Sequence, residues 1–359
     1  MRILQVVSSS ATSGAERHVH SLSVRLQREG HHVEVVCPNG GWLADDLARY
    51  GIRGHATSMR GQGWFRTIGL VTRLAREGHF DVIHTHLTRA TYFGYFAGLA
   101  RRVPVVSTVH IANHDMIYKR VARKHNRLVA VSDFVRGMLH GRGIPGRYID
   151  TVHNGTDFAD FEISPPDGVY DEFGIPRERR LIGLIGRVCR EKGHLTLVDA
   201  MTDVKRRMPD THVMFVGRVE ETFEPILHRS IADRDLQDRM TFTGSRADVP
   251  RLIDACEFTT MPSHIETFGI AAIEAMARRR AVVASRVGGL PEIVRHGQTG
   301  LLVDLRADDL ADAICYLLDH RDEREQMGSR GRQTVEEKFT LNQMVGRLER
   351  VYRRAAQLA

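Results

Sequence analysis

The sequence predicts two doubly wound α/β domains, and three observations carry that expectation. Short apolar runs alternate with longer amphipathic stretches, the pattern of parallel strands covered by helices. The pattern begins twice, each time as a strand opening onto a Gly-containing turn, at Ser8–Gly14 and again at Gly186–Gly193. The length, 359 residues, suits two domains at roughly 100–200 residues each. The boundaries read as 1–165 and 170–338, with 339–359 a helix that crosses back to the first domain. Two such domains would face a central cleft, with ligands beyond the carboxyl ends of the strands.

In the first half the apolar runs place strands at Ile3–Val7, Val33–Cys37, Val82–His84, Val105–Val109, Leu128–Val131 and Ile149–Val152. Helical periodicity covers Ala15–Arg28, Leu43–Tyr50, Phe65–Glu77, Ala90–Ala100 and Phe134–His140. The Pro-rich stretch from Ile163 to Gly168 reads as a surface linker. In the second half the strands are Leu181–Ile185, Val213–Val216, Met240–Thr243, Phe258–Met261, Ala281–Ala284 and Leu301–Val303. A helix starts at His194, another covers Phe268–Ala277, and two more lie near Asp308–Leu318 and Leu341–Gln357.

Composition excludes several classes. A charged fraction of 26% with 42% hydrophobic residues is globular, not disordered. The longest nearly apolar stretch, Thr91–Ala100, is far short of the roughly 20 residues that span a bilayer. The N-terminal MRILQVV reads as a strand rather than a signal peptide. Cys37, Cys189, Cys256 and Cys315 are widely spaced, which fits neither a disulfide framework nor a zinc site and suits a reducing, cytoplasmic setting. Net charge is 51 − 44 = +7, almost all of it from Arg, since Lys119, Lys124, Lys192, Lys205 and Lys338 are the only lysines. That balance fits an anionic ligand, an anionic membrane surface or nucleic acid. Nucleic acid is the weakest of these, because no zinc finger, aromatic RNA-binding consensus or basic tail occurs.

Two segments carry chemistry. Pro262-Ser-His-Ile-Glu-Thr-Phe-Gly-Ile-Ala-Ala-Ile-Glu274 follows a strand and enters a helix. Glu266 then lies at the helix entrance and Glu274 about two turns inside, roughly 12 Å further along. That spacing suits two hydroxyl-bearing groups joined by a diphosphate. The backbone N–H groups of Phe268, Gly269 and Ile270 are expected to be unpaired donors able to bind an anion. The bland alternative, a dipole-stabilised surface carboxylate and an ordinary exposed Glu, explains either acid alone but not the set. The second segment, Gly186-Arg187-Val-Cys-Arg-Glu-Lys192-Gly193, brings a guanidinium and an ammonium to a strand-end turn, where both can reach a phosphate. It is not a Walker A loop, and no Gly-x-Gly-x-x-Gly follows the first strand.

Together these segments resemble retaining glycosyltransferases of family four, whose fold is GT-B, two Rossmann-like domains. Ser13-Gly14-Ala15-Glu16, Asp81-Val-Ile-His-Thr-His86, His110, Val131-Ser132, Asn154-Gly-Thr-Asp157, Phe215-Val-Gly217, Phe242-Thr-Gly244 and Gly288-Gly-Leu-Pro-Glu292 extend the resemblance through almost the whole chain. The resemblance implies an acceptor-binding first domain and a second domain that holds a nucleotide-diphosphate sugar. It implies that Glu274 binds the ribose and that Arg187 and Lys192 hold the diphosphate. Glu266 and the Phe268–Gly269 backbone would hold the sugar hydroxyls, with Thr267 and Ile270 also among the donor-binding residues. Gly14 would let the first loop close over the phosphates, and His110 would sit near the reacting carbon. Thr267 stands where the family usually has Gly. No cofactor or metal is implied: the nucleotide sugar is a substrate, UDP-linked by preference and GDP-linked as the alternative. The implied activity is transfer of a hexosyl group to a hydroxyl of a glycan, glycolipid or natural product.

Competing readings are a nucleotide-sugar epimerase on the same scaffold and a nucleotide-sugar-binding protein without catalysis. Asp233-Arg-Asp235 lies on or beside a helix and reads as solvated surface rather than a metal-binding Asp-x-Asp. His84 and His86 read as cleft lining rather than a metal pair. Ile117–Arg127 carries five cationic side chains and no acid. It reads first as a solvated basic face and second as a peripheral contact with anionic lipid at the inner face of the plasma membrane. Trp64-Phe65 either anchors at such an interface or closes a core.

Overall fold

The computed structural model describes residues 1–9, 14–110, 115–157, 162–163 and 168–357. Ser13 of the first Gly-containing loop and most of the Pro-rich stretch lie outside the described residues. The chain divides into two compact units, Met1–Gly155 with Leu341–Ala359, and Thr156–Thr340. The first crossing therefore falls ahead of the Pro-rich stretch, not within it.

The first unit holds a parallel sheet of β1 (Arg2–Val7), β2 (His32–Pro38), β3 (Arg53–Thr57), β4 (Val82–His86), β5 (Val105–Val109), β6 (Arg127–Ala130) and β7 (Ile149–Thr151). Their order is β3-β2-β1-β4-β5-β6-β7. β3 escapes the sequence reading because Arg-Gly-His-Ala-Thr is an edge strand with little apolar signal. It pairs with β2 alone, and Gly54 lets it approach the helix Leu43–Ala48, where a Cβ would meet that of Ala44 at 2.8 Å. Helices Gly14–Arg28 and Leu341–Gln357 share one apolar core, in which Leu22, Leu26, Leu348 and Tyr352 are buried.

The second unit holds β8 (Arg180–Ile185), β9 (Thr211–Val216), β10 (Met240–Gly244), β11 (Phe258–Met261), β12 (Val282–Ser285) and β13 (Gly300–Val303), again all parallel. Their order is β10-β9-β8-β11-β12-β13. Strand order thus reverses between β8 and β11, the place where such sheets leave a crevice. The helix Arg321–Lys338 is absent from the sequence reading, because its composition is polar all round and contains two glycines. Those glycines explain the helix. Gly328 lies against the Arg279 carbonyl, where a Cβ would approach within 2.1 Å, and Gly331 lies against Met276. The helix is thereby seated on the helix Ile270–Ala277, which begins two residues later than the sequence suggests.

One ion pair anchors that helix from below. Arg278 and Asp254 are both buried and paired through Nε–Oδ1, at 2.7 Å, and Nη2–Oδ2. Removing one partner strands a buried charge, so Asp254→Ala should cost about 3–5 kcal/mol in urea unfolding. A loss under about 1 kcal/mol would contradict this assignment.

The first unit contains an unusual polar seam where its strand order reverses. His84 and His86 lie inside β4 and are fully buried, so they do not line a cleft as the sequence suggested. Thr85 Oγ1 and Ser107 Oγ meet at 2.6 Å across β4 and β5, and His84 Nε2 meets Thr108 Oγ1 at 2.7 Å. The Tyr352 hydroxyl reaches His84 Nδ1 at 2.6 Å, and His86 Nε2 reaches Gln5 Oε1 at 2.7 Å. His18 and His110 complete the cluster, with ring centroids 4.9 Å apart. Burial lowers the His18 pKa from 6.5 to about 4 and holds His84, His86 and His110 well below 6.5. The folded state keeps these rings neutral while the unfolded chain gains protons as pH falls through 6.5. Keeping them neutral therefore costs nothing above about 6.5 and destabilises the fold progressively as pH falls below that, because the unfolded chain binds protons that the buried rings cannot. The urea midpoint should drop between pH 7.5 and 5.5, and His18→Gln should flatten that slope. A midpoint that rises on acidification would contradict the neutral cluster.

Candidate functional site

Of the residues singled out in the second half of the sequence, Lys192 and Glu266 meet at the strand-order reversal between β8 and β11. After β8 the chain turns through Gly186, at φ 139°, and packs backbone on backbone against the end of β9. A Cβ on Gly217 would lie 2.0 Å from the Gly186 carbonyl oxygen. Val188 N–H then donates to Arg218 O at 2.9 Å, which fixes the course of the loop. A 3-10 turn, Arg190–Lys192, delivers Lys192 to the start of helix His194–Arg207. Gly193 is required there twice over. Its φ is 74°, and any Cβ would collide with the Pro262 carbonyl at 1.6 Å.

That collision point is the loop after β11. His264 N–H donates to Glu191 O at 2.8 Å, so the two loops are stitched side by side. Lys192 Nζ and Glu266 Oε2 meet at 2.6 Å, with both side chains mostly shielded. The other Glu266 oxygen accepts from Phe268 N–H at 3.4 Å. The Glu266 carbonyl accepts from Gly289 N–H at 3.0 Å, and Gly288 packs on the same carbonyl too tightly for any Cβ. Glu266 is therefore held by three loops, those after β8, β11 and β12.

Two sequence expectations need correction. Phe268 N–H is not an unpaired donor, since Glu266 takes it. Its ring is buried against Phe339, at 5.8 Å between centroids. The helix begins at Ile270 with Gly269 as its left-handed cap, so Glu274 lies about 6 Å along the axis from the helix start, roughly one turn in rather than two. Glu274 and Thr267 are half-buried. Arg187 stands on the same loop as Lys192 but is half-exposed, 3.7 Å from Glu220. Asp233 and Asp235 are surface residues beyond helix Glu224–Ala232, and Asp235 pairs with Lys205 at 2.8 Å.

Gly14 and His110 belong to the first unit. Gly14 opens helix Gly14–Arg28. His110 follows β5, and its Nε2 lies 3.2 Å from His86 Nδ1. Ring nitrogens of His18, His86 and His110 lie within 4.8 Å of one another, and the Cys189 sulfur with carboxylate oxygens of Glu191 and Glu220 forms a similar group in the second unit, so either set could hold a metal.

Sequence reasoning missed a concavity in the first unit of about 480 Å³, lined by Arg60, Trp64, Arg89, Tyr92, Asp115 and Tyr118 among others. Leu87, also on its wall, has φ 71° and ψ 155°, a region nearly reserved for glycine, at a cost of roughly 1–3 kcal/mol. Thr91 holds it there, donating to Leu87 O from both N–H and hydroxyl at 3.1 Å. The available signal was positional: Arg89 comes just after a strand. The Ile117–Arg127 segment is less uniform than its composition suggests. Arg127 lies in β6, buried and paired with Asp150, while Lys119, Arg120, Arg123 and Lys124 are exposed.

Comparison with known proteins agrees with this architecture. Residues 170–334 match the family model for glycosyl transferases group 1, and residues 12–160 match that for glycosyltransferase family 4. The chain is 32% identical to an alpha-D-kanosaminyltransferase of Streptomyces kanamyceticus over 76% of each protein. It is 25% identical to an N-acetyl-alpha-D-glucosaminyl L-malate synthase of Bacillus anthracis, over 79% of this chain and 77% of the relative. Among solved structures, a glycosyltransferase from Rickettsia africae superposes with a TM-score of 0.89 at 24% identity, covering 99% of this chain and 98% of that one. HepE from Anabaena, in complex with UDP and glucose, superposes with a TM-score of 0.88 at 22% identity, covering 98% of each chain. With its two parallel-sheet units and its match along most of a relative above 30% identity, the chain belongs to glycosyltransferase family four and has the GT-B fold.

Proposed function

We propose that the protein transfers a hexosyl group from a UDP-sugar, or alternatively a GDP-sugar, to a hydroxyl acceptor, with retention of anomeric configuration and without a metal. The observation that carries this reading is the Lys192–Glu266 pair, 2.6 Å long, at the strand-order reversal and on the same loop as Arg187. An ammonium has three N–H donors, and the pair with Glu266 uses one. Lys192 thus keeps donors for a phosphate while Glu266 fixes where it points.

In the proposed reaction the bond between the sugar C1 and the diphosphate oxygen breaks, leaving extra negative charge on the phosphate. Arg187, Lys192 and the N–H groups at Gly269 and Ile270 stabilise that charge. The acceptor oxygen bonds to C1 on the same face, and its proton passes to the departing phosphate oxygen. Glu274 holds the ribose hydroxyls. Glu266 and Thr267 hold the sugar, and Gly14 lets the first loop close over the phosphates. His110, neutral because burial lowers its pKa, acts on the reacting sugar as a hydrogen-bonding group rather than a cation. The kanosaminyl and N-acetylglucosaminyl transfers in the relatives' names support a hexosyl donor.

Incubation with labelled UDP-glucose, UDP-N-acetylglucosamine, UDP-galactose and GDP-mannose tests the reading. Label should move to an acceptor and EDTA should not change the rate. Conversion of the sugar without an acceptor would favour the epimerase instead, and binding alone would remove the catalytic reading. Lys192→Ala and Glu274→Ala should each weaken donor binding about 10–100-fold, the worth of a hydrogen bond to a charged group. His110→Ala should lower turnover by about 10²–10³-fold with a smaller effect on donor affinity. Wild-type constants in all three variants would defeat the assignment.

No helix among the described residues is long and apolar enough to cross a membrane. We also propose a peripheral membrane contact through the exposed cations Lys119, Arg120, Arg123 and Lys124, with Phe65, 78% exposed, as a second anchor. Sedimentation with vesicles should show binding to phosphatidylglycerol and none to phosphatidylcholine, and equal behaviour with both would refute the contact.

A further inference from the structure

The concavity in the first unit has a shape and charge that the chemistry of the second unit leaves unused. Its volume, about 480 Å³, falls in the range of small-molecule sites, roughly 300–1,000 Å³. Ser8 and Leu87 on its wall follow β1 and β4, so it opens at the carboxyl ends of the two strands that flank the strand-order reversal in the first sheet. We propose that it binds the acceptor of sugar transfer, and that this acceptor is a small ring-bearing hydroxyl compound with a phosphate or carboxylate group. Arg60 and Arg89 take the anion, Trp64 supports the ring, and Asp115 receives a hydroxyl. The word acceptor rests on the sugar-transfer reading; the anion site does not.

The wall explains each assignment. Neither the Arg60 nor the Arg89 guanidinium has a hydrogen-bond or ion-pair partner among the described residues. Asp115 is the one acid on the described wall, so two guanidiniums against one carboxylate leave an excess of one positive charge. Arg89 sits in the first turn of helix Thr88–Arg101, a turn without acidic residues, so the positive end of the helix adds to the same field. A guanidinium presents a planar fork that matches phosphate and carboxylate alike. Trp64 is held by ring contacts with Phe93, at 4.7 Å, and Tyr92, at 5.8 Å, and so offers a fixed apolar surface. Asp115 Oδ1 accepts from the Tyr92 hydroxyl and from Ile117 N–H, each at 2.8 Å. The carboxylate is oriented by those two bonds and has a second oxygen to offer a hydroxyl. The Leu87 backbone, held in a glycine-like conformation at the same rim, is the kind of strain that persists at ligand clamps.

Calorimetric titration with glucose 6-phosphate, glucuronate and glucose tests the site without any nucleotide. The wild type should bind at least one charged probe tenfold or more tightly than glucose, and the stronger of the two identifies the anion as phosphate or carboxylate. The double variant Arg60→Gln/Arg89→Gln should lose that preference, and Arg89→Lys should keep part of it, with unfolding midpoints confirming that both variants fold. Equal affinity of the wild type for charged and uncharged probes would overturn the proposal, as would an unchanged preference in the double variant. UDP-glucose titrated into the wild type reports on the donor reading alone. A charge preference without UDP-glucose binding would keep the anion site and remove its role as an acceptor site.

Discussion

The Lys192–Glu266 contact is the constraint on which the second unit's site depends. A cation and an acid 2.6 Å apart, both largely shielded, hold each other's position and lose it together if either is removed. Their meeting is a product of backbone approach. Gly193 touches Pro262, Gly217 touches Gly186, and Gly288 touches Glu266, in each case closer than a Cβ permits. The glycines of this sequence therefore do structural work that no side chain could do: they let four strand-end loops share one small volume.

The same logic reaches outward through packing. Helix Ile270–Ala277 carries Glu274 and is fixed on one side by Gly328 and Gly331 of the helix Arg321–Lys338. Beyond its carboxyl end the Arg278–Asp254 pair ties the chain to helix Val249–Ala255. The first unit uses a different device. There the strand-order reversal is filled by neutral imidazoles and the Tyr352 hydroxyl, a hydrogen-bonded network that is sensitive to acid. Tyr352 comes from the final helix, so that helix contributes to the polar interior of the first unit as well as to its apolar core.

Much of this was legible in the residues. The buried parallel strands announce themselves as short apolar runs; strand-end position and spacing singled out Arg187, Lys192 and Glu266, while His110 entered through the family resemblance. What stayed hidden has physical reasons. β3 is an edge strand with a polar sequence, and Arg321–Lys338 buries glycines rather than an apolar stripe, so neither gives the periodic signal that pattern reading needs. Direct pairing of Lys192 with Glu266 could not be foreseen, because it arises from a touch between loops 74 positions apart in sequence. The polarity of Thr85 and His86 hid the last two positions of β4, so the strand seemed to end at His84. The concavity around Arg60 and Arg89 was invisible for the same reason as most tertiary sites: its residues come from separate elements and form no motif.

A crystal structure of the protein soaked with UDP-glucose bears most directly on the central claim. The account predicts density for the diphosphate within hydrogen-bonding distance of Lys192 Nζ, with the ribose at Glu274 and the glucose hydroxyls at Glu266. Nucleotide density elsewhere in the molecule, with the Lys192–Glu266 pair untouched by ligand, would contradict it.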